Sequence, residues 1–355
     1  LGNVYLCGYA TTNALQVAIM PANLTPEYKT AEAAYRRARD AKERLECLRE
    51  MLRTIPKHKG TDHLQADIKS RIKQLTDELA APRKGGARTG PTTVIRREGA
   101  AQIALIGPVN TGKSTLHSKL TGSNAHCGPY PFTTQFPQPG MLPYQDIHFQ
   151  LVDLPPVTRE HPVPWLANAL QPADAALLVV DLNNPACIDQ VKAVHEILLE
   201  KRVILTTAWT SLSGDDASID PFAIELPTLM IVTKMDELPL WQQELHVFRE
   251  LTGLRYQAVA VSAVTGQGLE QIAPWLFTQL TIVRVYTKTP GRPADRDRPF
   301  TVRRGQTVHD VAVLVHKEIA QSLKYARLWR GHEFDGQQVG RDHAVADGDV
   351  IELHV

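Results

Sequence analysis

The chain has 355 residues, 43% hydrophobic and 22% charged, with 39 Lys and Arg against 38 Asp and Glu and a formal net charge of +1. That length accommodates two or three domains, each with its own core, and no apolar run reaches the roughly 20 residues needed to span a membrane as a helix. Cys7, Cys47, Cys127 and Cys187 lie far apart with no CxxC pair, which argues against a zinc or disulfide framework and for a reducing cytoplasmic setting.

The near-zero balance conceals a segregation of charge. Residues 1–98 hold 18 basic against 11 acidic side chains, residues 99–281 hold 9 against 17, and residues 282–355 hold 12 against 10. A basic arm on an acidic body suits an RNA binder and equally suits a solvated pair of helices.

Residues 1–19 lack a basic n-region and differ in character from the residues after Met20, so they are expected to be a disordered or gene-model extension with initiation near Met20. Residues 20–82 read as a helical hairpin. Leu45, Leu48, Leu52 and Ile55, then Leu64, Ile68, Ile72, Leu75 and Leu79, recur at spacings of three and four, and the turn falls between Pro56 and Asp62. Residues 83–98, entered through the run APRKGGARTGP, read as a flexible basic linker.

From 99 to 281 short apolar runs alternate with helical ones. Ile103–Ile106, Ile147–Val152, Ala176–Leu182, Thr228–Val232 and Gln257–Val261 are the predicted strands, with Ile188–Glu200 and Leu240–Leu251 among the predicted helices. The alternation predicts an α/β fold with a mostly parallel sheet, helices on both faces and ligand at the C-terminal strand ends. Residues 282–355 read as a small α+β domain of ubiquitin-like, β-grasp kind: a strand at Ile282–Thr287, a turn-rich TPGRPADRDRP, a strand at Phe300–Arg303, a helix capped by Thr307 and Asp310, and a last strand at Val350–Val355.

The motif that orients the rest is GPVNTGKS, residues 107–114, directly after a predicted strand and before a predicted helix. In that context it is a phosphate-binding loop. Gly107 and Gly112 permit the tight turn, and the backbone of Gly107, Pro108, Val109, Asn110, Thr111, Gly112, Lys113, Ser114 and Thr115 is expected to cradle phosphates. Lys113 is expected on the terminal phosphates and Ser114 on Mg²⁺. After later strands come Thr233, Lys234 and Asp236 of TKMD, then Ser262 and Ala263. A carboxylate at Asp236 matches the N1–H and exocyclic amine of guanine, a donor pair that adenine lacks, and the stem of Lys234 is expected across the base plane. Asp153, at the end of a strand, is placed to hold Mg²⁺.

YPFTT at 130–134, with Gly140 after it, completes a set of motifs that resembles the Obg superfamily of GTPases, and within it the developmentally regulated GTP-binding (DRG) proteins with a C-terminal TGS domain. The likeness rests on GPVNTGKST, YPFTT, DLP, TKMD and SA in order, and on VYTKTPG, RRGQTVHDV and VGRDHAVADGDVIEL near the C-terminus. It implies GTP and GDP as ligands, slow Mg²⁺-dependent hydrolysis, and a ribosome or RNA partner with a protein cofactor and no membrane. It implies that Thr134 ligates Mg²⁺ and senses the γ-phosphate and that Asn110 helps hold a K⁺ beside the β- and γ-phosphates, which makes Lys113, Thr134 and Asn110 the candidate catalytic residues. Arg303, Arg304, Lys317, Lys324, Arg327 and Arg330 are candidates for a basic face on the TGS domain.

Two departures from the family pattern stand out. Where DxPG is usual, Asp153 is followed by Leu154, Pro155 and Pro156, and proline has no N–H to offer a γ-phosphate. VTREHPVPW then stands in place of a glycine-rich switch II, which leaves Arg159 and His161 as further candidates beside the phosphates. Pro156 is therefore the residue that favours a second reading, a GTP-binding scaffold with little turnover or switching.

Overall fold

The computed structural model describes residues 24–38, 41–57, 61–80, 93–123, 134–209, 220, 222–331 and 334–355. The predicted extension at 1–19, the switch motif from Tyr130 to Thr133 and most of the glycine-rich linker lie outside the described residues. The chain divides into two compact units, residues 1–88 and 89–355.

The first unit is helical: α1 (Pro26–Arg37), α2 (Ala41–Thr54) and α3 (Asp62–Ala80). Thr25 caps α1 by accepting the Tyr28 N–H at 3.2 Å, and its own hydroxyl donates to Thr54 O at 3.1 Å, so the start of α1 is tied to the end of α2. Tyr28, Leu45, Leu48, Met51, Ile55 and Ile68 form the buried stripe. A two-helix hairpin was expected; the structure breaks the first helix at Ala38, which is extended (ψ 129°) and buried, with its carbonyl accepting Arg44 Nε at 2.9 Å. No Pro or Gly marks that break. The apolar periodicity does not announce it.

The second unit opens with a seven-stranded sheet. Its elements are β1 (Ala101–Ile106), α4 (Lys113–Thr121), β2 (Gln138–Tyr144), β3 (Ile147–Asp153), α5 (Leu166–Leu170), β4 (Ala175–Val180), α6 (Cys187–Glu200), β5 (Val203–Thr206), β6 (Ile224–Val232), α7 (Trp241–Thr252), β7 (Gln257–Ala260) and α8 (Ile272–Gln279). The order is β2-β3-β1-β4-β6-β5, with β7 pairing the second half of β6, and only β2 runs antiparallel to its neighbour. Every residue of β1 and β4 is buried because apolar clusters cover both sheet faces. β2 was not predicted, since Pro139 and Pro143 argue against a strand. It is an edge strand, where proline is tolerated.

The linker reading is corrected at its C-terminal end. Ile95 O accepts Gln102 Nε2 at 3.2 Å, Arg96 O accepts Gln150 Nε2 at 3.1 Å, and Arg97 pairs with Asp174 at 3.0 Å. Residues 95–97 are thus part of the second unit.

The same unit continues into a five-stranded sheet built from β8 (Ile282–Lys288), β9 (Ala294–Arg303), β10 (Tyr325–Arg330), β11 (Phe334–Val339) and β12 (Asp349–His354), ordered β11-β10-β12-β8-β9, with β8 and β12 parallel at its centre. One face packs on α9 (Val308–Val315) and α10 (Lys317–Ser322). Thr307 and Asp310 form the predicted capping box. The single predicted helix is interrupted at His316 (φ −165°, ψ 137°), and Ala294–Pro299, read as part of a turn, belongs to β9.

Two carboxylates join this sheet to the larger one. Asp146, in the β2–β3 turn, accepts from Arg284 at 2.9 Å and from the Tyr286 hydroxyl, while Arg284 also binds Asp347 and lies over the Phe277 ring. Asp174, just before β4, pairs with Arg303 at 3.1 Å as well as with Arg97. Both lie at the N-terminal ends of parallel strands, at the pole opposite the ligand site predicted for the C-terminal ends.

Candidate functional site

Four strands end together at one pole, and the loops that leave them carry the predicted residues. β1 passes into the phosphate loop. At Gly107 a Cβ would stand 2.4 Å from Val179 O, so only glycine lets the loop cross β4 this closely. Asn110 (φ 59°) and Gly112 (φ 80°) are both left-handed, which turns successive N–H groups inward ahead of α4. Lys113 is buried and donates to Pro108 O at 2.5 Å, closing the loop on itself. Burial pulls its amine down to about 8, against an upward pull from the Asp153 charge.

Ser114, Thr134 and Asp153 meet, although 39 residues separate the first from the last. Ser114 Oγ donates to Asp153 Oδ2 at 2.6 Å, Thr134 Oγ1 lies 3.0 Å from Ser114 Oγ, and Thr134 Oγ1 donates to Asp153 Oδ2 at 3.2 Å. Asp153 is 1% exposed, and its other oxygen, Oδ1, is buried with no hydrogen-bond partner. Burial raises its carboxyl above the ordinary range, offset in part by Ser114, Lys113, His117 and Thr134. A buried carboxylate with one oxygen unsatisfied, flanked by two hydroxyls, is a set of hard oxygen donors that fits Mg²⁺.

The predicted base loops are adjacent to the phosphate loop and joined to it. Thr233 is buried; its hydroxyl donates to Thr111 O at 2.8 Å, with Val180 O 3.2 Å away. Thr233 thus has a direct tie to the phosphate loop, a role that the sequence alone did not reveal. Met235 N–H donates to Val261 O at 3.2 Å, which holds the TKMD turn against the strand end carrying Ser262 and Ala263. Ser262 is buried and closes its own turn by accepting the Thr265 N–H at 3.1 Å, while Asp236 is exposed. Lys234 is left-handed (φ 57°), and its amine meets Asp181 Oδ2 at 2.6 Å. Asp181 escaped the sequence reading; the signal was an acid closing the apolar run AALLVV.

Comparisons with known proteins bear on the family resemblance and the fold. Residues 102–208 match the 50S ribosome-binding GTPase family and residues 283–355 match the TGS domain family. The chain is an Obg- and DRG-like GTP-binding protein. It is 26% identical to an uncharacterized GTP-binding protein of Methanocaldococcus jannaschii, over 88% of this chain and 92% of that one. It is 25% identical to developmentally regulated G-protein 3 of Arabidopsis thaliana, over 86% and 95%. The YchF GTPase of Schizosaccharomyces pombe has the same fold, with a TM-score of 0.51 at 12% identity, over 74% of this chain and 100% of that one.

The segment after Asp153 is where this DRG-like chain departs from the pattern it otherwise resembles. Pro155 and Pro156 are buried, and Val157, 3% exposed, sits in the core beside Leu166 and Ala169 while its N–H donates to Gly107 O at 3.2 Å. Arg159 does not point to the phosphate loop. It pairs with Glu196 at 2.7 Å and Glu200 at 3.5 Å, fastening the segment to α6, and His161 is exposed. The candidate basic face is also dispersed in this DRG-like protein: Arg303 is taken up by Asp174 and Arg330 by Asp349, and Lys317 lies in α10 rather than in the sheet.

Proposed function

We propose that this protein binds GTP and GDP at the described pole and hydrolyses GTP slowly, with Mg²⁺, by in-line attack of water. The observation that carries the reading is the convergence of Ser114, Thr134 and Asp153 beside Lys113 and the α4 N-terminus. Ser114, Thr134 and Asp153 would hold the metal, which would supply positive charge beside the phosphates. The N–H groups of residues 107–115 orient the phosphates, Lys113 contacts the terminal ones, and Asp236 with the Ser262–Ala263 turn reads guanine. Asn110 would help hold a K⁺, which would supply positive charge where an arginine finger otherwise acts. The working boundaries are 20–82 for the helical arm, 99–281 for the GTPase domain, with residues 95–97 bonded to its sheet, and 282–355 for the TGS domain, in a cytoplasmic protein that acts with ribosomes or RNA.

A second reading, a GTP-binding scaffold that does not switch, is favoured by one group of observations: Pro156 has no N–H, Val157 is buried and Arg159 is fastened to α6. Single-turnover hydrolysis with and without K⁺, for the natural chain and for Pro156→Gly, separates the two. Measurable turnover that K⁺ accelerates supports the GTPase; GTP binding without hydrolysis under any condition supports the scaffold. Co-sedimentation of the GTP-loaded and GDP-loaded protein with ribosomal subunits tests the partner, and equal absence of both from the pellet removes it.

A further inference from the structure

We propose that Asp181 is a positioning residue for nucleotide recognition, acting on the base through Lys234; this rests on the guanine reading above. Asp181 is the first residue beyond β4, and Thr233, the first beyond β6, donates its N–H to Val180 O at 2.9 Å, so the two strand ends leave the sheet side by side. The Asp181 carboxylate is almost wholly enclosed. Its side chain is 7% exposed, Oδ1 accepts the Asn183 N–H at 3.0 Å, and Oδ2 accepts from Lys234 Nζ at 2.6 Å. Lys234 holds the left-handed backbone conformation that L-residues rarely adopt, and its side chain is 40% exposed.

A long, flexible lysine gains little from an aqueous ion pair. Here one partner is fixed by burial and by its own Asx turn, so the amine is anchored and the four-carbon stem takes up a defined line. The exposed part of Lys234 is what remains to cover a flat aromatic ring. Asp181 thereby removes most of the rotamer freedom that the stem otherwise loses on binding a base, which lowers the cost of binding without touching the ligand. The stem contacts ring faces, whereas Asp236 reads the edge. Asp181 therefore affects affinity for any purine nucleotide and leaves the choice among purines to Asp236.

The test is Asp181→Asn, which keeps an oxygen for the Asn183 turn and removes the charge. GDP, inosine diphosphate and base-free tripolyphosphate are titrated against the full chain, alone and in a Lys234→Met background. The expected result is about 10-fold weaker binding of both nucleoside diphosphates with an unchanged ratio between them, unchanged tripolyphosphate binding, and no further effect once Lys234 is Met. Tripolyphosphate binding that weakens in step, or a full effect persisting without the lysine, overturns the proposal and marks Asp181 as a general scaffold residue. Unchanged GDP affinity overturns it as well. If the natural chain binds tripolyphosphate and no guanine nucleotide, the guanine reading fails with it.

Discussion

Lys113 provides the sharpest quantitative test, because it is charged in every phosphate complex and discouraged from being charged in the free protein. Burial brings its amine from 10.5 down to about 8. At pH 8 half of the free molecules then carry a neutral amine, so docking phosphates that restore the ammonium takes up about 0.5 proton, with about 0.1 at pH 7 and about 0.9 at pH 9. The same linkage weakens GDP binding about 10-fold between pH 7 and pH 9. Free-protein stability responds in the matching sense: between about 8 and 10.5 the unfolded chain binds more protons than the folded one, so stability rises with pH through that window, by on the order of 3 kcal/mol if nothing else titrates. The assay is calorimetry of GDP binding in EDTA at pH 8 in buffers of different ionisation enthalpy, with Lys113→Arg as the control that stays charged. Identical enthalpies across buffers, or the same uptake in Lys113→Arg, would refute the argument, as would a GDP affinity that is flat from pH 7 to pH 9.

Asp236→Asn exchanges an acceptor for a donor at the proposed guanine edge and is expected to move preference from guanine to xanthine nucleotides by about 100-fold, read by competition against labelled GDP. Arg159→Ala frees residues 157–165 from α6, so amide exchange there accelerates while the melting temperature stays put; protection equal to the natural chain would show that the buried Val157 alone holds the segment. His195 sits on α6 with Nδ1 donating to Val191 O at 2.8 Å and Nε2 2.9 Å from the Tyr256 hydroxyl, and burial lowers its pKa below 6.5. The unfolded chain therefore takes up a proton first, and stability present above pH 6.5 is lost as pH falls below it. Urea midpoints at pH 8, 6.5 and 5 should show that acid wing in the natural chain and a shallower one in His195→Gln.

Much of this architecture is legible in the residues because its logic is local. The apolar runs that become β1, β3, β4 and β6 are buried on both faces, so their composition announces them, and the phosphate loop is announced by glycines at positions that only glycine fits. The features that escaped depend on partners far away in sequence. β2 is a strand by virtue of β3 beside it, despite its two prolines. The break at Ala38 has no punctuating residue, and Thr233 shows its function only when Thr111, 122 residues earlier, is brought within hydrogen-bond reach. Arg159 was a candidate at the phosphates on proximity to Asp153 alone, and the deciding acids, Glu196 and Glu200, are on a helix after the next strand.

β3 has a consequence of another kind. It begins one residue after Asp146, which Arg284 and Tyr286 grip, and it ends at Asp153; at about 3.3 Å per residue the strand is a rod of about 20 Å, laced to β1 on one side and β2 on the other. Asp146 and Asp153 thus stand at opposite tips of one strand, so a ligand at either tip that alters affinity at the other does so by a free energy equal in both directions.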